Sequence, residues 1–429
     1  MSTETPDTVE FSDIEAARQR LDDESVVKPT PTDRSTSLEA TTGAAEVVLK
    51  MEHLQWTGSF KTRGAYNKIK LLTERGGVDH VVAASAGNHA QGVALAAREL
   101  GVEATIVMPG PAPQTKVDAT RSYGATVELV GNDFQDAMTH AQELTSGDRT
   151  EFIHAYDDPA IVAGQGTLGV EMYEDCPSVD TVIVPIGGGG LISGISTAFA
   201  ELSPETRVVG VQATGAATVP DSLDKGIPQT LDSVDTIADG IATGGISELT
   251  LSIIDANVDE IVTVTNSEIA DAILLLLERA KQVVEGAGAA SIAAVRSSEL
   301  DVTDECVMPL LCGGNLDMTM MRTVLIHALT RRKQILQVQV RIDDRPGVMA
   351  ELSGIIGDHE ANIQTVRHDR ALEELDVGDA YLVFQIETKG SAHARNIIES
   401  IADAGYEVDV LNWEAASKLA DRSRSDRIE

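Results

Sequence analysis

A lysine lies at the start of a predicted helix, where its amine could act as a nucleophile. It belongs to the segment TGSFKTR at positions 57–63, and apolar residues recur at helical spacing after it until Gly76 and Gly77 end the pattern. The positive end of a helix dipole disfavours a second positive charge, and burial would lower the pKa of the ammonium further. Most lysines, taken alone, are solvated surface residues. A neutral amine can attack a carbonyl, however, so Lys61 is a candidate Schiff-base lysine.

Three further motifs place small and polar residues after strand-like or buried segments. They are Ser85-Ala86-Gly87-Asn88-His89, Gly187-Gly188-Gly189-Gly190-Leu191 and Cys312-Gly313-Gly314-Asn315. Free N–H groups between a strand and a helix bind anions, and successive glycines let the backbone approach a phosphate closely. A dinucleotide fingerprint has a different spacing and an acidic residue further on. The glycine run therefore predicts a site for one monophosphate.

The elements that must position these motifs alternate between strand and helix. Strands are predicted at 81–84, 104–108, 125–130, 182–186 and 208–211. Strands separated by helices indicate parallel sheets covered on both faces, which bind ligands beyond the carboxyl ends of their strands. Another strand is predicted at 46–50 before the lysine motif, and a helix at 11–21 with Ser12 and Asp13 at its start, after a polar leader at 1–10.

The pattern changes after residue 330. Residues 331–334 are a predicted linker and residues 413–429 a polar tail, whereas residues 335–412 follow a βαββαβ order. The predicted elements there are strands at 335–342, 363–368, 380–386 and 406–411 and helices at 348–357 and 392–404. The 429 residues exceed the usual size of one core. We therefore expect a domain of two α/β units at 1–330 followed by a smaller domain at 335–412.

Composition limits the possible partners. The chain has 33 Lys and Arg against 68 Asp and Glu, a formal net charge of -35, which excludes a generic binder of nucleic-acid phosphates. Such charge favours solubility where salt screens it, as in a halophilic cytoplasm. The three cysteines have no metal-ligand spacing and indicate reduced thiols. With neither a secretory signal nor an apolar span in the sequence, we expect a soluble cytoplasmic protein that does not bind membranes.

Taken in order, the motifs resemble those of the fold-type-II pyridoxal-phosphate (PLP) enzymes, and within them the threonine and serine ammonia-lyases. The resemblance covers nearly the whole chain and implies a cofactor cleft between two parallel-sheet units. It implies that Lys61 is the catalytic lysine and general base. The cofactor-binding residues that it implies are Phe60, Lys61, Asn88, Gly187, Gly188, Gly189, Gly190, Leu191 and Cys312.

The resemblance also implies where the substrate binds. The implied substrate-binding residues are Ser85, Ala86, Gly87, Asn88, His89, Ala238, Asp239, Gly240 and Glu285. We interpret His89 itself as structural. Cys312 stands where the family usually carries serine against the pyridine nitrogen. A neutral thiol leaves that nitrogen largely unprotonated, and the weaker electron sink suits prompt loss of a β-leaving group.

The C-terminal segment resembles an ACT domain, an amino-acid-sensing module. The resemblance rests on Asp344-Arg345-Pro346-Gly347-Val348 and Ala361-Asn362-Ile363. It implies an isoleucine or valine effector near Gly347 and Asn362, where domains of a homo-dimer or homo-tetramer meet. The alternative is an oligomerising domain without a ligand, since a fold alone does not establish function.

The expected reaction is α,β-elimination of L-threonine, and also of L-serine, to 2-oxobutanoate or pyruvate and ammonia, as the first step of isoleucine biosynthesis. The alternatives are a catabolic dehydratase, a serine racemase, a β-replacing synthase, and an amino-acid sensor with a vestigial catalytic half. The racemase carries a second serine where this chain has Ala86. It also has an acidic cation ligand where this chain has Gln212, so we expect no bound divalent metal. A monovalent cation remains open.

Overall fold

The computed structural model describes residues 8–22, 25–147, 149–370 and 375–412. The chain divides into two units, Met1–Met320 and Met321–Glu429. This division lies within helix Met318–Arg331. The sequence predicts the end of the first domain at residue 330, near the end of the same helix. The predicted polar tail, 413–429, lies outside the described residues.

The predicted strands and helices of the first unit are present, with ends shifted by one or two residues. Its strands are β1 Thr32–Arg34, β2 Glu46–Lys50, β3 His80–Ala84, β4 Glu103–Pro109, β5 Thr126–Val130, β6 Thr150–Phe152, β7 Thr181–Pro185, β8 Arg207–Ala213, β9 Glu260–Val264 and β10 Cys306–Pro309. Its helices are α1 Phe11–Arg20, α2 Thr36–Thr42, α3 Lys61–Arg75, α4 Asn88–Leu100, α5 Gln114–Ser122, α6 Phe134–Leu144, α7 Pro159–Asp175, α8 Gly190–Leu202, α9 Val219–Lys225, α10 Glu248–Asn257, α11 Asn266–Leu275 and α12 Gly286–Val295. Helix α13, Met318–Arg331, follows.

Two sheets organise the first unit. The larger has the strand order β1-β2-β10-β7-β8-β9 and the smaller β5-β4-β3-β6. Strand β1 pairs antiparallel with β2, and the other paired strands of both sheets are parallel. All five residues of β7 are buried, as expected for a strand covered on both faces. The predicted parallel α/β architecture is confirmed.

Helix α3 is held by close contact with α7. A β-carbon added to Gly64 would lie 2.8 Å from the carbonyl oxygen of Ile161, and one added to Gly164 would lie 2.6 Å from the α-carbon of Gly64. Only glycine permits helices to approach this closely. The two glycines therefore fix the helix that carries Lys61 at its first position.

The N-terminal helix begins at Phe11 as predicted, but its start is capped by a different residue. Its N-cap is Glu10 rather than Ser12, and the side chains of Glu10 and Asp13 form a reciprocal capping box. Val9 is buried and packs with Ile14 and Ala17. The predicted polar leader is therefore wrong for residues 9 and 10, because an apolar contact anchors them; residues 1–7 lie outside the described part of the chain.

The second unit has the predicted βαββαβ order, which is that of a ferredoxin-like fold. Its elements are β11 Ile335–Asp343, α14 Val348–Asp358, β12 Asn362–Asp369, β13 Asp379–Glu387, α15 Ser391–Asp403 and β14 Glu407–Val410. The strands are antiparallel, in the order β12-β13-β11-β14. Alternate residues of β11, including Leu336, Val338 and Val340, form the core with both helices. Among the described residues of either unit, no helix has the length and apolarity needed to span a bilayer.

Candidate active site

A cavity of about 770 Å³ opens beyond the carboxyl ends of β3 and β7. Its wall includes Lys61, the loop 85–89, the glycines at 187–190, and Glu285 with Cys312. The structure thus brings together the lysine and the three motifs found in the sequence. This is the position at which parallel sheets bind ligands.

Lys61 lines the cavity, and burial is the main influence on the pKa of its amine. Its Nζ donates a hydrogen bond to the carbonyl oxygen of Ala155 at 3.0 Å and lies 5.0 Å from the centre of the Phe60 ring. Burial lowers the pKa of Lys61 to about 8, although Cys312 and Glu285 oppose the shift. About a tenth of the amine is therefore neutral at pH 7, far more than for a solvated lysine, and the neutral form is the one that a nucleophile or base requires.

The loop before Lys61 is clamped to the loop that carries Cys312. Thr57 has a φ of 63°, a conformation that a β-branched residue rarely adopts. Its carbonyl oxygen accepts a hydrogen bond from Asn315 Nδ2 at 2.6 Å, and the N–H of Gly314 donates to the carbonyl oxygen of Gly58 at 2.9 Å. These contacts hold strained backbone beside the lysine, as is common at functional sites.

The glycine run forms a close-packed turn at the start of α8. A β-carbon on Gly188 would lie 2.2 Å from the Tyr156 ring, and Gly189 has a φ of 92°. Thr250 Oγ1 donates to the carbonyl oxygen of Gly188 at 2.9 Å. Leu191 follows on the cavity wall. The run therefore presents backbone N–H groups of a helix start to the cavity, as an anion site requires.

The loop 85–89 presents a second helix start to the same cavity. Ser85 Oγ accepts a hydrogen bond from the N–H of Gly87 at 3.1 Å, and α4 begins at Asn88 with no side-chain cap from the described residues. Ala86 and His89 also line the wall. His89 Nε2 is 2.9 Å from the carbonyl oxygen of Ile153, and burial together with nearby Lys61 lowers the pKa of His89 to about 3. This neutral, anchored ring agrees with a structural interpretation.

Glu285 and Asn315 fix the side-chain amide of Asn88. Asn88 Nδ2 donates to Glu285 Oε1 at 2.7 Å, and Asn88 Oδ1 accepts from Asn315 Nδ2 at 2.8 Å. Burial raises the pKa of Glu285 to about 7, against the hydrogen bond from Asn88. The amide keeps one N–H for a ligand.

The segment 238–240 contributes unequally to the cavity. Asp239 and Gly240 line it, and a β-carbon on Gly240 would lie 2.9 Å from Glu285 Oε1. Asp239 Oδ2 also forms an ion pair with Lys116 Nζ at 3.1 Å, which joins this wall to α5. Ala238 is fully buried and does not belong to the lining. Its methyl group is therefore not exposed to a ligand in the cavity.

Cys312 reaches the cavity two residues after Leu310, which bridges to Lys50 in parallel register. The thiol is buried, and burial with the nearby Glu285 carboxyl raises its pKa well above the ordinary range. It therefore stays neutral.

Gly347 and Asn362, the predicted effector residues, lie in the second unit, where Gly347 caps the start of α14 and Asn362 begins β12 after that helix.

Sequence reasoning missed several residues that complete the site. They are Tyr156, Ala155, Thr250, Asn315 and Lys116. Asn315 ended a motif already noted for its glycines, so its side chain could have been included. The contacts of the others depend on residues far apart in the chain, which no local pattern reveals.

Comparison with known proteins decides the family. Residues 24–313 match the family described as "Pyridoxal-phosphate dependent enzyme". The chain belongs to this family. It is 43% identical to L-threonine ammonia-lyase of Thermotoga maritima over 403 residues, which are 94% of this chain and 100% of the relative.

Two solved structures are similar to this PLP-dependent enzyme. Threonine deaminase isoform 2 of Solanum lycopersicum superposes with a TM-score of 0.70 at 37% identity, covering 74% of this chain and 87% of that one. Maize serine racemase gives a TM-score of 0.70 at 32% identity, covering 76% and 99%. The predicted fold-type-II architecture is thereby confirmed.

The residues of this PLP-dependent enzyme fit its cofactor. A phosphate requires close approach to successive N–H groups, and the turn at 187–190 contains glycines whose β-carbons would collide with Tyr156 and Thr250. A carbonyl requires a neutral amine, which Lys61 supplies from the same cavity. A ring nitrogen requires a polar neighbour, and Cys312 lies in the wall. The enzyme thus has groups for each end of the cofactor.

Gln212, which stands where the racemase has an acidic cation ligand, forms hydrogen bonds within the protein. Gln212 is buried, and its Oε1 accepts hydrogen bonds from the N–H groups of Thr218 at 3.0 Å and Val219 at 2.8 Å. Its Nε2 donates to the carbonyl oxygen of Ala216 at 3.3 Å. The amide therefore ties down the loop after β8.

Proposed function

We propose that this chain is an L-threonine ammonia-lyase that also accepts L-serine. It would convert them by α,β-elimination to 2-oxobutanoate or pyruvate, with release of ammonia. The observation that carries this proposal is the Lys61 amine, with its pKa lowered to about 8, in one cavity with two helix starts suited to two anions. The full-length similarity to a relative named L-threonine ammonia-lyase supports the choice of substrate.

The substrate carboxylate would bind at the start of α4. The helix has no side-chain cap from the described residues, so its first N–H groups can donate to a carboxylate. Asn88 would donate its remaining amide N–H to the cofactor's ring oxygen, with Glu285 and Asn315 fixing the direction of the amide. The glycine run would hold the cofactor phosphate, and Phe60 and Cys312 would flank the ring.

Lys61 would remove the α-proton of the bound amino acid as general base. The bound cofactor supplies the electron sink for the pair that the breaking Cα–H bond releases. The low pKa lets the amine accept this proton near neutral pH, where a solvated lysine would remain charged. The β-hydroxyl then leaves as water, and hydrolysis of the released enamine gives the 2-oxo acid and ammonia.

Racemisation of serine is the second candidate, because maize serine racemase has a similar structure. It requires a proton donor on the face opposite Lys61, and Ala86 in the cavity wall has none. The test is an assay of the purified enzyme with L-threonine and L-serine, measuring 2-oxo acid, ammonia and D-serine. We expect equal amounts of 2-oxo acid and ammonia with little D-serine. Absence of 2-oxo acid, or D-serine as the main product, would overturn the proposal.

We infer that the second unit is an ACT domain that binds isoleucine or valine and that the enzyme catalyses the first step of isoleucine biosynthesis. Gly347 and Asn362 lie at opposite ends of α14, which has 11 residues. Such a helix is about 16 Å long. A ligand that contacts both residues would therefore lie between two copies of the domain, which supports a homo-dimer or homo-tetramer.

The regulatory proposal has its own test. Isoleucine or valine should change the threonine concentration at half-maximal rate and raise the thermal midpoint of the parent enzyme. The same amino acids should have weaker effects on Asn362→Ala. Unchanged kinetics and thermal stability at saturating effector would exclude feedback. We also place the enzyme in a halophilic cytoplasm, in line with its net charge of -35.

A further inference from the structure

Two cysteines from distant parts of the chain lie side by side outside the cavity. The Sγ atoms of Cys176 and Cys306 are 3.8 Å apart, although the residues are 130 positions apart in sequence. Cys176 is the C-cap of α7, and Cys306 is the first residue of β10. Both are free thiols and partly exposed. A small reagent can therefore reach them.

Backbone hydrogen bonds hold the two cysteines in place. The N–H of Asp180 donates to the carbonyl oxygen of Cys306 at 2.9 Å, and Asp180 Oδ2 accepts from the N–H of Cys306 at 2.7 Å. The N–H of Val179 donates to the carbonyl oxygen of Cys176 at 3.2 Å. The turn at 176–180 is thus tied to the start of β10. These hydrogen bonds keep the two cysteines next to each other.

We propose that Cys176 and Cys306 form a dithiol that closes to an intramolecular disulfide on reaction with a low-molecular-weight disulfide. One cysteine thiolate attacks the reagent's S–S bond and releases one thiol, leaving a mixed disulfide on the protein. The second cysteine attacks the cysteine sulfur of this mixed disulfide, which forms the Cys176–Cys306 bond and releases the second thiol of the reagent. The protein loses two electrons and two protons, and the reagent gains both. The sulfurs must close from 3.8 Å to about 2.05 Å.

The surroundings of Cys306 set the speed of this exchange. Burial, the adjacent Cys176, and the carboxylates of Glu46 and Asp180 raise the pKa of Cys306 to about 12. The positive charge of Arg34 acts on the same thiol in the opposite sense. The thiolate of Cys306 is therefore scarce at neutral pH. Attack that starts from Cys306 should therefore be slow there and become faster in alkaline buffer.

The disulfide should stabilise the fold without disturbing the cavity. Cys306 precedes Val307, which pairs with Thr181 at the first position of β7. The cysteines thus lie at the amino ends of β7 and β10, whereas the glycine run and Cys312 follow their carboxyl ends. Closing a loop of 130 residues restricts the unfolded chain, and we expect a thermal midpoint about 5 °C higher. Turnover with saturating substrate should change less than about twofold.

The test uses the holoenzyme incubated with oxidised glutathione at about pH 8. Titration after denaturation should show that free thiols fall from the three of the reduced chain to one. Mapping without reductant should recover peptides joined through Cys176 and Cys306. Cys176→Ser and Cys306→Ser should instead retain glutathione on the remaining partner, without the thermal gain. Cys312→Ser, the matched control for disulfide formation, should still form the bond.

Three outcomes would overturn the proposal. The first is three free thiols in the parent after prolonged incubation in alkaline buffer. The second is glutathione that stays on Cys176 or Cys306 without being displaced by the neighbour. The third is a disulfide between chains or one that includes Cys312. These measurements follow thiols and peptides, so failure of the proposed lyase activity would not affect them.

Discussion

Two buried lysines in the same unit have opposite environments. Lys50, at the end of β2, is fully buried, and its Nζ lies 2.6 Å from Glu171 Oε1, 2.7 Å from Asp175 Oδ2 and 2.7 Å from the carbonyl oxygen of Thr30. Lys61, at the start of α3, reaches the cavity, and its Nζ donates a hydrogen bond to the carbonyl oxygen of Ala155 at 3.0 Å. Their sequence neighbourhoods give no sign of this contrast in partners.

The difference shows what makes a lysine reactive. Two carboxylates form ion pairs with Lys50 and offset the cost of its burial. Lys61 is also surrounded by protein, but Glu285, the carboxyl group that acts on it in the site, has a pKa raised to about 7 and is only partly ionised at neutral pH. Burial therefore dominates at Lys61 and lowers its pKa to about 8. One lysine stabilises the fold, whereas the other can exchange protons.

The largest effect should come from replacing the reactive lysine. Lys61→Ala should lower turnover of threonine by at least about 10⁴-fold, because the general base and the attachment point of the cofactor are both lost. Steady-state 2-oxo acid formation measures this effect. Lys70→Ala, on the same helix, is the control and should stay within about twofold of the parent. A Lys61→Ala enzyme with the parental rate would remove the basis for the proposed function.

Replacing the structural lysine should affect stability instead. Lys50→Met leaves the carboxylates of Glu171 and Asp175 without their shared cation, which should lower the free energy of unfolding by about 3 kcal/mol. The measurement is the unfolding of the catalytic unit in urea, from which the free energy of unfolding is obtained. Turnover of the folded variant is measured in parallel. Lys225→Met, an exposed lysine, should change stability by less than about 0.5 kcal/mol. If Lys50→Met abolished turnover while fully folded, the two lysines would not differ as we argue.

The next effect concerns the cofactor phosphate. The added β-carbon of Gly188→Ala would lie 2.2 Å from the Tyr156 ring, so the turn must move. Because such a turn positions several N–H groups, we expect cofactor affinity to fall about 100-fold, or about 2.7 kcal/mol. Titration of the apo-protein with the cofactor, followed by absorbance, measures this. Gly354→Ala, in α14, meets nothing within 4 Å and should bind the cofactor as the parent does.

The sequence identified several strands of the parallel sheets and the residues that follow them, because hydrophobic runs and glycine motifs are local signals. It singled out Lys61 through its motif, but it did not reveal the ion pairs of Lys50, since the partners of Lys50 lie 121 and 125 positions away. The contact of Asn88 with Glu285 spans 197 positions, and that with Asn315 spans 227. Such contacts exist only once α4 and α12 are packed in one fold. Family resemblance supplied Glu285 and Asn88 as separate residues, and the structure joined them.

A smaller effect should appear in the pH dependence of stability. The folded pKa of Glu285 is about 7, above its ordinary value of 4.5. The native state thus binds more protons than the unfolded chain between these values, so this residue's stabilising contribution is present below pH 4.5 and is lost as pH rises through 7. Glu285→Gln keeps an acceptor for Asn88 but cannot ionise. Relative to the parent, it should gain on the order of 2 kcal/mol between pH 5 and pH 8, measured by urea unfolding; equal pH profiles would show that Glu285 titrates normally.

The smallest effect should come from the thiol beside the ring. Cys312→Ser replaces a weak hydrogen-bonding group by a stronger one that is also neutral, so the ring nitrogen would still lack an acid. Turnover of threonine should change by less than about threefold, which corresponds to about 0.6 kcal/mol.

Cys312→Asp is the sharper comparison, because an acid could protonate the nitrogen and prolong the life of the carbanion. It should lower elimination and increase exchange of the α-proton with deuterium from solvent, as proton NMR can follow. If serine lowered turnover as strongly as aspartate, the thiol itself would be required, and neutrality alone would not explain its presence.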